Sequence, residues 1–215
     1  MRLAWSIVGL ALCVAGCTSP KEERLQEYSS DGLHLFQHGD YTTARQDFEA
    51  ALVLKPNDAG LQYDAGACYD RQGADLQAEK YYNECLRLAP NHPECHFALA
   101  SLLIRSGRRA EAERLAADWL KREPKLADAY ALVGLLERQA GDLPQAQVHL
   151  QAALELEPQN PRALVEMAMI YEAMQREDRA VVLYERVLQK DPNQPEVKQR
   201  LNGLLTRGTQ RPQPE

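Results

Sequence analysis

The chain has 215 residues, 45% hydrophobic and 26% charged, with 25 Lys+Arg against 31 Asp+Glu and a formal charge of −6. Acids and bases are interspersed rather than blocked, which excludes the basic footprint of a nucleic-acid partner. The leading apolar run, Leu3 to Leu12, is shorter than the ~20 residues a helix needs to cross a bilayer, so no integral membrane span is expected.

In chain order, Arg2, the apolar run and the small residues Val14-Ala15-Gly16 form the three parts of a secretory signal peptide over residues 1–16. Cys13-Val14-Ala15-Gly16-Cys17 also resembles the lipobox of bacterial lipoproteins. The resemblance implies diacylglycerol transfer to Cys17, cleavage before it and acylation of the new amine. The alternative is ordinary signal-peptidase cleavage nearby, with Cys17 free. Two or more acyl chains, at ~0.8 kcal/mol per buried methylene, make a stable anchor. Thr18 stands where lipoproteins kept in the inner membrane resemble one another in having Asp, so the expected address is the outer membrane, facing the periplasm. Residues 17–24 are expected to form the lipidated tether.

From residue 25 a repeat organises the chain. Pro56, Pro90, Pro124, Pro158 and Pro192 recur every 34 residues. With each proline at repeat position 32, position 15 reads Gly39, Gly73, Gly107 and Gly141. Position 20 reads Ala44, Ala78, Ala112, Ala146 and Ala180, and position 8 reads Gly32, Gly66, Ala100, Gly134 and Ala168. Position 24 is mostly large, with Phe48, Tyr82, Leu150 and Tyr184. Small residues at 8 and 20 let two antiparallel helices approach, and the large residue at 24 fills the space between them. Glycine at 15 ends the first helix, and the proline stops the second. Pro93, Pro161 and Pro195 suit the first position of the following helix.

These columns resemble the tetratricopeptide repeat. The resemblance implies an all-α solenoid of about five antiparallel helical hairpins, over 25–58, 59–92, 93–126, 127–160 and 161–194. Val197, Leu201, Leu204 and Leu205 predict a capping helix over 195–206, followed by a loose tail over 207–215.

Three positions depart from the pattern. Repeat 3 has Ala116 at the large position 24 and Trp119 at the usually small position 27, a volume swap that predicts a buried Trp119. Gln175 replaces the turn glycine in repeat 5 and predicts a strained or differently shaped turn. Glu137, at a usually apolar position, is expected to turn outward.

No phosphate loop, zincin motif, nucleophile elbow or kinase set is present, so no catalytic residues, cofactor or small-molecule substrate are expected. The spacing of His34 with His38, and of His92 with Cys95 and His96, permits metal ligation. However, His96 falls on a core position and His34 is expected to face a neighbouring helix, so packed or surface histidines and no metal are the preferred reading. Once the leader is removed, Cys68, Cys85 and Cys95 remain, an odd set. Cys85 and Cys95 flank one inter-hairpin turn and either pair or pack as small core residues. Arg105, Arg108 and Arg109 cluster at a turn, as a solvated loop or as a contact for anionic lipid or an acidic partner.

In the family resembled, positions 2, 5, 9, 12 and 13 line the inner face. Here they give Leu33, Phe36, Tyr63, Phe97, Ile104, Leu135, Val165 and Met169 with Arg71, Arg105, Arg138 and Arg162, an apolar groove with basic edges. Such a stripe fits an amphipathic or extended segment of a protein partner. The family's chaperone-tail clamp would need Lys at position 5 and Asn at position 9. Ser29, Tyr63 and Phe97, then Leu33, Ala67 and Ser101, stand there instead. Short lipoproteins built of these repeats resemble the pilotins and assembly factors of type IV and Flp (Tad) pilus systems. That resemblance implies a scaffold that binds a secretin or pilus component and promotes its outer-membrane assembly. A second resemblance is to lipoprotein adaptors that regulate cell-wall hydrolases or synthases.

Overall fold

The computed structural model describes residues 19–208, so the signal peptide, Cys17 and residues 209–215 lie outside the described residues. Among the described residues there are eleven helices and no strand. They are α1 (Pro20–Gln37), α2 (Tyr41–Leu54), α3 (Ala59–Arg71), α4 (Asp75–Leu88), α5 (Pro93–Arg105), α6 (Arg109–Arg122), α7 (Ala127–Ala140), α8 (Leu143–Leu156), α9 (Pro161–Ala173), α10 (Glu177–Lys190) and α11 (Pro195–Thr206). None is long and apolar enough to cross a membrane.

Local chemistry sets the helix ends. Ser19 and Glu22 form a capping box that starts α1 at Pro20, so residues 20–24 of the expected tether are helical. Asp40, Asp58, Asp142 and Asn160 accept backbone N–H bonds at the starts of α2, α3, α8 and α9. Each position-32 proline lies two residues beyond its helix. The turn glycines, from Gly39 to Gly141, all take left-handed φ values between +73° and +86°.

Gln175 adopts that same conformation, with φ +58°. The turn of repeat 5 therefore keeps the shape of the others, and the strain sits on one side chain that the left-handed region disfavours. Gln175→Gly should stabilise the array by roughly 0.5–1 kcal/mol, since relief of that strain is partly offset by the greater freedom of glycine in the unfolded chain. Calorimetric melting of the two proteins measures it.

Packing follows the columns. A Cβ added to Gly32, Gly66 or Gly134 would come within 3 Å of Phe48, Tyr82 or Leu150, the position-24 residue of the same hairpin. The first helices also touch one another along the array, α1 with α3, α3 with α5, α5 with α7 and α7 with α9. The second helices make no comparable contact with each other, so the first helices form the inner layer. The core runs between the two layers as four adjoining apolar clusters.

A further column ties successive hairpins together. The position-4 side chains Gln62, His96 and Tyr130 donate to the carbonyls of Pro56, Pro90 and Pro124, at 3.3, 2.9 and 3.3 Å. Each satisfies a carbonyl in the preceding turn that no helical N–H reaches.

Trp119 is fully buried and stacks on His96, with ring centroids 3.8 Å apart and nearly parallel planes. Glu137 neither enters the core nor points freely outward, since it meets Nδ1 of His149 at 2.8 Å. At the C-terminus, Val197, Leu201 and Leu204 seal the open end, but Leu205 is 38% exposed on the outer side of α11. Arg207 bonds to the Gly203 carbonyl and approaches Glu177, so the first residues of the expected tail are held against the cap.

Candidate functional site: the inner groove

The inner layer carries the groove residues, but the fold distributes them unevenly. Leu33 is half exposed near the N-terminal end, and Phe36 packs into the first cluster beneath it. Tyr63 is largely enclosed between Tyr82 and His92, with ring centroids 6.0 and 5.9 Å away. Burial raises its hydroxyl pKa, with the nearby Asp64 and Glu94 carboxylates adding to the effect. Ile104 packs against the central cluster, and Met169 is half-buried on α9. These residues line the inner layer without meeting at one place.

Three others do meet. Phe97 from α5, Leu135 from α7 and Val165 from α9 line a single open cleft of about 500 Å³ with Pro161, Arg162 and Glu166. Asp191 and Gln194, from the turn between α10 and α11, close one side. The Arg162 guanidinium lies 4.7 Å from the Phe97 ring centroid, a cation–π distance.

The expected basic edges are not free. Arg162 donates to Glu94 at 2.8 Å and to Asp128 at 3.2 Å, joining repeats 3, 4 and 5 with one side chain. Burial would raise the Glu94 pKa, but the Arg162 hydrogen bond and charge outweigh it and hold that carboxyl below the usual range. Arg138 donates to Glu166 at 2.5 Å. Arg105 bonds to Asp70 and reaches Asp75. Arg71, the fourth, lies beside the Phe36 ring, 6.0 Å from its centroid. With three of its four arginines neutralised from within, the groove has a different polarity from the one expected. The charged side chains lining the central cleft are Glu94, Arg162, Glu166 and Asp191, an acidic balance around an apolar floor.

Glu94 shares an inner column with the apolar and basic residues from which the groove is expected, whereas Glu166 and Asp191, at positions 6 and 31, lie outside those columns. The signal was available, since Glu94, Asp128 and Arg162 occupy position 2 of three successive repeats, acids below a base on the inner face. The turn cluster is likewise internally paired. Arg108 meets Glu79 and Glu111, and Arg109 bonds to the Leu136 carbonyl and approaches Glu113 at 3.8 Å.

The histidines also differ in part from expectation. His96 is 1% exposed, and burial lowers its pKa to about 4. His34 does not face a neighbouring helix. It is exposed, its ring lies against that of His38, and its carbonyl receives His38 Nδ1 at 2.7 Å. Cys85 and Cys95 are disulfide-bonded across the α4–α5 turn, and Cys68 is a buried free thiol.

A larger recess, about 720 Å³, lies between α2 and α4 on the outer layer and is lined by Leu52, Val53 and Tyr81 with charged neighbours. Its lining comes from two successive hairpins only, whereas the inner cleft is built by three first helices and bounded on one side by the last turn.

Among curated proteins, none matches the chain. A thermophilic TPR protein of Thermus thermophilus is similar in structure, with TM-score 0.66, 22% identity and coverage of 85% of this chain and 99% of that one. PilF of Pseudomonas aeruginosa is similar with TM-score 0.58 and 18% identity over 89% of both chains. MamA (41-end) of Desulfovibrio magneticus RS-1 is similar with TM-score 0.50 and 18% identity, over 80% of this chain and 98% of that one. At these identities the likeness is one of fold. Models of the tetratricopeptide repeat, none of a catalytic domain, match residues 31–93, 76–136 and 137–202. With most of its length covered by that repeat, and with position-8 glycines seated against position-24 side chains, the chain belongs to the tetratricopeptide repeat family and is a scaffold for protein–protein interaction.

Proposed function

We propose that this protein is a lipid-anchored pilotin or assembly factor that binds a secretin or pilus component and promotes its assembly at the outer membrane. The observation that carries the binding half is the inner cleft, where Phe97, Leu135 and Val165 form an apolar floor about 500 Å³ in volume, open to solvent. A floor assembled from three first helices suits an amphipathic or extended segment laid across the repeats. The anchoring half rests on the sequence Cys13 to Cys17, and the fold shared with PilF is compatible with the assignment without specifying the partner.

Affinity capture from detergent-solubilised envelope should recover a secretin or pilus component. Phe97→Asp combined with Leu135→Asp should reduce that capture at least tenfold with helix content unchanged, because two charges desolvated on an apolar floor oppose docking by more than the ~1.4 kcal/mol that tenfold represents. Recovery of wall hydrolases or synthases with no secretin would sink the pilus reading. Unchanged capture by the double variant would place the binding surface on another face. Cys17→Ser should leave the array folded but release it from membranes.

A further inference from the structure

The junction between α4 and α5 holds a cluster that the groove does not use. Cys85, near the end of α4, and Cys95, in the first turn of α5, are bonded to each other, with Cα atoms 6.5 Å apart and both side chains fully buried. His92 precedes the opening proline of α5 and brings its ring to the pair, so that a ring nitrogen and the two sulfurs all lie within 4.8 Å of one another. The ring is stacked on Tyr63, which fixes its plane.

His92 does little else for the fold. It stands at the N-cap of α5 yet makes no capping hydrogen bond. Its Nδ1 is buried without a hydrogen bond, and the Glu94 carboxylate lies 3.2 Å from it. A buried polar atom left unsatisfied costs ~1–3 kcal/mol. The same repeat position holds capping Asp58 and Asn160 in repeats 1 and 4 and Leu126 and Gln194 in repeats 3 and 5, so neither capping nor a shared column accounts for an imidazole beside two sulfurs.

We propose that the reduced form of this junction is a Cys2His site for Cu(I), and that metal and disulfide exclude each other there. Thiolate and imidazole together select soft or borderline ions. Among the described residues no fourth His, Cys or carboxylate joins the group, and structural Zn(II) sites almost always take four protein ligands, whereas Cu(I) is satisfied by three. The His92 side chain is 23% exposed and gives the ion an edge to enter by. Glu94 beside the ring can orient it once the metal takes up a nitrogen.

The chemistry balances as thiol–disulfide exchange followed by metal binding. A dithiol reductant passes two electrons and two protons to the S–S bond, becoming a disulfide itself while Cys85 and Cys95 become thiols. Cu(I) then displaces the two thiol protons to solvent and is held by two thiolates and one neutral imidazole. Either state cross-links repeat 2 to repeat 3, so the array keeps its shape while its redox and metal status changes.

The full-length chain, reduced with a dithiol and desalted without air, should withdraw Cu(I) from the chelator bathocuproine disulfonate. The expected uptake is one equivalent more than Cys85→Ser takes, and the disulfide form should show no such excess. X-ray absorption of the loaded chain should report two sulfur neighbours and one nitrogen. His92→Ala retains both cysteines and the disulfide, so its folding can be checked in the oxidised state by circular dichroism. Its Cu(I) affinity should fall at least tenfold, since even outer partners of metal ligands carry about 10–100-fold. Equal uptake by reduced and oxidised chains, equal uptake by wild type and Cys85→Ser, or an unchanged affinity in His92→Ala would each overturn the proposal.

Discussion

Trp119→Ala should destabilise the array by about 3–5 kcal/mol, the range for removing a buried large aromatic. Trp119 fills the interior at the end of α6, where Ala116 one turn earlier leaves it as the bulky residue of repeat 3. His96, the face against which the indole stacks, is itself fixed by its bond to the Pro90 carbonyl, so it is not free to collapse into the vacated volume. The loss should be slightly blunted, because the indole Nε1 is buried without a partner and its removal relieves that penalty.

The same substitution should change the titration of His96. Burial now holds its pKa at about 4, below the ordinary 6.5. A depressed folded-state pKa means that the unfolded chain binds the proton first. The contribution of His96 to stability is therefore complete above pH 6.5 and is lost as pH falls toward 4. Opening the site in Trp119→Ala hydrates the imidazolium and should move the pKa back up, so this loss becomes smaller in the variant. Chemical denaturation from about pH 4 to about pH 7.5, with the His96 ring followed by NMR, measures both effects. A variant whose melting and His96 titration match wild type would contradict the packing described for repeat 3.

Gly134→Ala should destabilise the protein by about 1–3 kcal/mol, the usual cost of overpacking. This opposes the expectation from helix propensity, in which alanine gains up to ~1 kcal/mol over glycine within a helix. The new Cβ would sit 2.6 Å from Cγ of Leu150 and 3.3 Å from the Ala146 carbonyl oxygen. Cγ is the branch point of a fully buried leucine rather than a flexible end, so relief requires α7 and α8 to separate. Gly203, also helical, has nothing within 4 Å of the corresponding position. Gly203→Ala should therefore stabilise by ~0.5–1 kcal/mol through propensity alone. Opposite signs for one substitution at two helical glycines separate close packing from backbone preference. If Gly134→Ala also raised the melting temperature, position 8 would not be set by the approach of the two helices.

The repeating unit and the number of units were legible in the residues alone. A 34-residue period with glycine, alanine, large-residue and proline columns encodes hairpin geometry locally, because each column answers a contact or a turn within one unit or with its neighbour. Buried Trp119 was legible for the same reason, since the gap at Ala116 and the excess at Trp119 belong to one hairpin. The polarity of the groove, by contrast, emerged with the stacking of the hairpins. Arg162 is a positive charge in its own column, but stacking brings it to Asp128 in the next hairpin and to Glu94 two hairpins away, and those ion pairs cancel it. The open choice between pairing and packing for Cys85 and Cys95 was likewise resolved in three dimensions, where their Cα atoms lie 6.5 Å apart and the sulfurs are bonded. So was the position of His92 against both sulfurs, which follows from stacking on a tyrosine of the preceding first helix. Shape repeats with the sequence because its causes are local, whereas the pairing of charges and the meeting of His92 with two sulfurs depend on which side chains come together across repeats, and that is set by the superhelix.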